Sequence, residues 1–232
     1  MRIVYLLLAV LSLGAGTGRA DSWWVAYEAD PDQGFPEECG WERIVQGGGA
    51  ERYLQDGTLV IDSLASFSIC DSYYQYMPSL PDSEHPFRME WRMLAAEVIG
   101  RDPGIALSFA PFGYLTLAYE KNRIYSLLEG EYVAEFAPDV FHEYALTSSD
   151  MLTYRLYLDG LLVHTGEVVG PSSYSWAQWG DLVTGGAGLS VWDYARFGVV
   201  PEPAAGLLFG SLGLAASIRT TRHVRRSRYE TS

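Results

Sequence analysis

Helical periodicity is almost absent between residues 21 and 200, which argues against bundles and alternating α/β folds for that stretch. Positive charge is also scarce there. Within 21–200, 27 Asp and Glu stand against 9 Lys and Arg, a net charge of −18. A field of that sign repels polyanions, so DNA, RNA and strongly sulfated glycans are poor partners, whereas neutral glycans and cations remain open. The four histidines, His85, His142, His164 and His223, are scattered. There is no His-Glu-x-x-His, no Gly-x-Ser-x-Gly and no Cys-x-x-Cys, so the common zinc, hydrolase and redox signatures are missing.

The two ends are richer in information. Arg2 precedes an apolar stretch from Ile3 to Leu13, and Gly18-Arg19-Ala20 supplies small residues at a cleavage position. This is the pattern of a secretory signal peptide, residues 1–20, cut after Ala20. At the other end stand Val200, Pro201, Glu202 and Pro203, then an apolar run over 204–218, then a tail over 219–232 with five arginines. Fifteen positions fall short of the roughly 20 apolar residues that span a bilayer comfortably, and the arginines favour the cytoplasmic side. Gly206, Gly210 and Gly213 each cost about 1 kcal/mol in a water-exposed helix but suit contacts between membrane helices. The three-part order resembles the PEP-CTERM sorting signal of bacterial surface proteins. That resemblance implies an exosortase-type enzyme as partner, with Val200 to Pro203 as its recognition element, and places the chain at the cell envelope. In such an oxidising location Cys39 and Cys70 are expected to pair, closing a loop of 32 residues worth about 3 kcal/mol.

Residues 21–199 are sized for one domain. Strand signals recur through them. Phe87, Met89, Trp91 and Met93 alternate with Arg88, Glu90 and Arg92, so one face of that strand packs on a core and the other is polar. Thr58 to Ile61 follows the turn Asp56-Gly57; further strands are read over 105–109, 114–119, 123–128, 132–136, 141–147 and 153–158, with Asp159-Gly160 turning into 161–164, and a last one from about 189 to 199. Many short strands with Gly, Asn and Asp turns predict an all-β fold, an antiparallel β-sandwich. Phe141 to Thr147, Tyr154 to Gly160 and Trp192 to Phe197 resemble strands of laminin G-like and concanavalin A-like jelly-roll domains, and Gly40-Trp41-Glu42 with Asp56 to Leu59 resembles the opening of related exported sandwich domains. The resemblance implies a jelly roll, a fold that hosts lectins, glycosidases, lyases and adhesion modules alike.

No catalytic set emerges from the residues. A glycosidase needs two carboxylates about 5 to 9.5 Å apart across a cleft. Glu129 and Glu131 flank Gly130 at a turn, and Glu90 sits between two arginines that account for it by charge pairing. Asp193 needs a cationic partner, for which Arg155 or Arg196 is available. No cofactor is expected; calcium is left open by the acidic Asp30-Pro31-Asp32, read as solvated surface charge. The aromatic segment 174–181, read as a Ser- and Gly-rich connection before the last strand, is the strongest lead. Tyr174, Trp176, Gln178 and Trp179 combine rings that stack on sugar faces with an amide that bonds hydroxyls. The same rings also suit the cover of an open sandwich end. The expectation is a non-catalytic module for carbohydrate or matrix glycan, with an adhesive envelope protein as the alternative and a hydrolase or lyase behind both.

Overall fold

In the computed structural model, residues 22–199 are described apart from 31, 46–48, 65–71, 78–85 and 183–185. The expected signal peptide, the Val200 to Pro203 motif and the tail behind it lie outside these residues. No helix among the described residues is long and apolar enough to cross a membrane.

Fifteen strands follow in chain order among the described residues: β1 Ser22–Glu28, β2 Glu42–Val45, β3 Glu51–Gln55, β4 Thr58–Asp62, β5 Ser72–Tyr76, β6 Phe87–Ile99, β7 Gly104–Phe109, β8 Gly113–Glu120, β9 Arg123–Ser126, β10 Glu131–Glu135, β11 His142–Ser148, β12 Thr153–Leu158, β13 Leu161–Glu167, β14 Trp176–Asp181 and β15 Ala187–Val199. One sheet runs β13-β12-β11-β6-β15-β4-β3, with β1 added beside β4 along β15, for eight strands. The second has seven, in the order β10-β9-β8-β7-β14-β5-β2. Every pairing is antiparallel, and the two sheets form a sandwich.

Period-two alternation fixes what each strand buries. Phe87, Met89, Trp91 and Met93 of β6 are all fully buried, as their spacing predicts. From the opposite sheet Phe109 stacks on Phe87 at 4.2 Å, and Tyr119 accepts a hydrogen bond from Trp91 Nε1 at 2.9 Å. That bond joins the two layers and satisfies an indole N–H which would be costly to bury alone. The outer face of the eight-stranded sheet carries the charges: Arg88 pairs with Glu90, and Arg196 with Glu28. Asp193 pairs with Arg92 rather than with Arg155 or Arg196, because a register shift between Trp192 and Tyr194 sets Tyr194 opposite Arg92.

Both Asp-Gly turns take the positive φ that their hairpins require, 51° and 73° at Asp56-Gly57 and 49° and 79° at Asp159-Gly160. His142 is buried with Nδ1 on the Asp159 carboxylate at 2.7 Å and Nε2 on the Ala137 carbonyl at 2.9 Å, so it anchors this hairpin to the start of β11.

Candidate functional site

Strand β14 sorts the aromatic segment onto two faces. Ala177 and Trp179 turn into the core, while Trp176 and Gln178 lie half-buried on the outer face of the seven-stranded sheet. The expectation that Trp179 meets a ligand is thereby corrected. Its ring is 0 % exposed, packs on Trp192 and Tyr74 at 4.7 Å each and meets Trp41 edge-on at 5.7 Å, and its Nε1 has no hydrogen-bond partner among the described residues. Trp179 is a packing residue. Tyr174 belongs to the loop before β14 and is strongly exposed.

Register extends the outer face across neighbouring strands. Trp176 lies opposite Ser108 of β7, which lies opposite Tyr114 of β8. The next row runs from Glu42 through Gln75, Gln178 and Ala106 to Thr116. Gln178 Nε2 donates to Gln75 Oε1 at 2.6 Å, which fixes both amides side by side. A third row runs Ile44, Tyr73, Gly180, Gly104, Ala118 and Tyr125. Ala106 and Ala118 are buried yet stand apart from the hydrophobic core cluster between the sheets. By register the small residues Gly180, Gly104, Ala118 and Ala106, all buried, stand at the centre of this face. Tyr73, Gln75, Trp176 and Gln178 flank it on the β5 and β14 side, and Tyr114, Thr116 and Tyr125 on the β8 and β9 side.

The β8 and β9 side of this face is charged. Arg101 lies 3.4 Å over the Tyr125 ring and bonds Glu120 at 2.8 Å; Arg123 lies 3.9 Å over Tyr132 and also reaches Glu120 at 3.2 Å. Glu120 is held below the usual carboxylate range by the Tyr132 hydroxyl, by Arg101 and by Arg123, against a burial effect of opposite sign. Such a surface offers flat rings, amides and hydroxyls, the chemistry that recognises polyols.

Two carboxyl groups meet between the sheets just beyond Gly104 and Gly180. Asp102 and Asp181 are 1 % and 3 % exposed and hydrogen-bonded to each other. Asp102 Oδ1 accepts from the Leu182 N–H at 3.2 Å, and Oδ2 lies 3.3 Å from the Ser63 hydroxyl, whose oxygen accepts from the Gly188 N–H. Burial first, then the bond to Asp181 and its charge, push Asp102 up to about 10, so it is protonated at neutral pH and donates to its neighbour. The pair joins β14 and the turn before β7 to the ends of β4 and β15.

The remaining candidates separate. Glu129 accepts from the Tyr154 hydroxyl at 2.9 Å and faces His164 Nε2 at 3.1 Å, while Glu131 is exposed on β10, so the two share no site. Cys39 Sγ lies 3.9 Å from Gln33 Oε1, and the expected pairing with Cys70 involves a residue outside the described ones. Asp30 Oδ1 accepts from the Asp32 N–H at 2.9 Å, a local turn, and no group of three or more His, Cys, Asp or Glu suited to a metal occurs among the described residues. Tyr73, Gln75, Tyr114 and Tyr125 were not singled out by sequence reasoning. Their only signal is the alternation of each strand, and in Tyr73-Tyr74-Gln75-Tyr76 a tyrosine at both parities hides it.

No protein-family model matches the chain, and no curated protein does. Solved structures do. A sialidase superposes with a TM-score of 0.53 at 10 % identity, over 79 % of this chain and 19 % of its own. The Trypanosoma rangeli sialidase in complex with 2,3-difluorosialic acid gives 0.53 at 14 %, over 80 % of this chain and 32 % of its own. The carbohydrate recognition domain of Emp47p gives 0.46 at 14 %, over 78 % and 98 %. The chain spans about a fifth to a third of the length of the sialidases it matches. At these identities the sialidase likeness establishes a shared β-sandwich fold.

Proposed function

We propose that this chain is an exported, envelope-held, non-catalytic module that binds neutral carbohydrate on the outer face of its seven-stranded sheet. The observation behind this reading is the half-buried Trp176 beside the paired amides of Gln178 and Gln75, on a face with Gly and Ala at its centre. A sugar ring laid on the indole buries its apolar C–H face, and the two amides offer a carbonyl and N–H groups to its hydroxyls. The net charge of −18 over 21–200 disfavours sulfated polymers. The apolar segment at the start of the chain and the Pro-Glu-Pro motif, apolar run and arginines at its end support export and retention at the envelope, with an exosortase-type enzyme as processing partner.

A glycan array probed with the intact protein and with Trp176→Ala, its fold checked by circular dichroism, tests this. Binding to neutral glycans that disappears in the variant is the expected outcome. Silence across the array, or equal binding by both proteins, refutes it.

A further inference from the structure

The end of the sandwich from which the chain leaves β15 carries a rim of exposed apolar residues. Val199 is the last residue of β15 and lies opposite Phe87, whose other neighbour is Ser148 at the end of β11. Phe87 stacks on Phe109, so the turn after β7 lies at the same end. Five of the large exposed hydrophobic residues belong there: Met77, Tyr114, Leu152, Val169 and Tyr174, the last 67 % and Leu152 55 % exposed.

They form a continuous band. The Val168 N–H donates to the Leu152 carbonyl, and Val169 exchanges backbone hydrogen bonds with Tyr114 at 3.0 and 3.1 Å. Tyr114 lies opposite Ser108, whose hydroxyl donates to the Tyr174 carbonyl at 2.7 Å, and Met77 directly follows the β5 residue that pairs with Ala177. Two acids belong to this end: Asp150, whose Oδ1 accepts from the Leu152 and Thr153 N–H groups at 3.0 and 2.8 Å, and Glu167, which lies opposite Thr153 and is exposed.

Only residues 200–203 separate Val199 from the apolar run 204–218. From Val199 to Ala204 the extended chain makes five steps and spans at most about 18 Å. A bilayer that holds the run therefore lies within that distance of the rim.

We infer that this end of the sandwich is a lipid-facing surface, and that Leu152, Val169, Tyr174 and their neighbours seat the domain on the headgroup region while the 204–218 segment is inserted. Tyrosine suits that depth because its ring is apolar and its hydroxyl stays wet. The Asp159-Gly160 hairpin, with exposed Leu161 and Leu162, lies at the opposite end: Leu158 pairs with Leu161 there, whereas Thr153 pairs with Glu167 at the rim end. It serves as the internal control.

The test is photolabelling of the full chain in phosphatidylcholine vesicles doped with a phosphatidylcholine bearing a headgroup diazirine, read by peptide mass spectrometry. Adducts in 150–152 and 169–174 at about tenfold the level of 160–163 are expected, and the Leu152→Ser, Val169→Ser, Tyr174→Ser variant should lose that excess while it keeps its circular dichroism. Equal labelling of the two ends overturns the inference. So does labelling confined to 204–218, and so does no labelling at all, which would show that the run does not enter the bilayer. No glycan is present, so the outcome is independent of the carbohydrate reading.

Discussion

Replacing Asp102 by Asn should stabilise the domain, and by more as the pH rises. The folded state holds a proton on Asp102 up to about pH 10, whereas an unfolded aspartate releases its proton near 3.9. The folded protein therefore binds one proton more than the unfolded chain throughout that window. The stability this group provides is complete below pH 4 and is lost as the pH climbs toward 10. One proton makes stability fall with pH by roughly 3 kcal/mol between pH 5 and pH 7. Asparagine carries no titrating proton. Its carbonyl can accept from the Leu182 N–H and its amide can donate to Asp181, as the protonated acid does. For a domain of this size 1 kcal/mol moves Tm by about 2–4 °C, so the Tm gap between Asp102→Asn and the parent should widen by about 5–11 °C from pH 5 to pH 7. Differential scanning calorimetry of both proteins at pH 5, 6 and 7 reads it directly. Parallel Tm curves, or a gap that closes with rising pH, would refute the shared-proton account.

Trp179→Ala should cost about 3–5 kcal/mol in a denaturant melt, because a fully buried indole leaves a cavity between the sheets, whereas Trp176→Ala should cost less than half as much. At Gly166 an added Cβ would collide with Glu129 Oε1 and approach Tyr154 Cε1 to 2.6 Å; Gly166→Ala is expected to lose about 1–3 kcal/mol by chemical denaturation. The Arg92–Asp193 pair is about a third exposed on both sides, so Arg92→Gln should change stability by less than about 1 kcal/mol at 0.15 M salt, measured by the same melt.

The fold was legible wherever one parity of a strand is apolar and the other polar, as in Phe87 to Met93, and wherever an Asp-Gly pair sets a hairpin. Short segments defeated the same reasoning. Tyr73 to Tyr76 has rings at both parities, and the Ser- and Gly-rich approach to Trp176 reads as a connection although β14 begins at that residue and lies between β5 and β7. Taken as a loop, the segment put Trp176 and Trp179 together; as a strand it sends them to opposite faces. The small-residue centre of the outer face was beyond reach for a different reason. Gly104, Ala106, Ala118 and Gly180 come from three strands, and only the sheet order brings them into register. The Asp102–Asp181 pair likewise spans 79 residues of sequence and depends on long-range pairing for its contact.

The central claim concerns which face holds the glycan. Isothermal titration of a neutral oligosaccharide found on the array, against the parent protein, a Gln75→Ala, Gln178→Ala double variant and Tyr157→Ala on the eight-stranded sheet, tests it most directly. At least a tenfold loss in the double variant is predicted, the cost of about 1.4 kcal/mol of lost hydrogen bonding, with Tyr157→Ala at the parental affinity. Unchanged affinity in the double variant, or a loss confined to Tyr157→Ala, would place the glycan elsewhere and contradict the account.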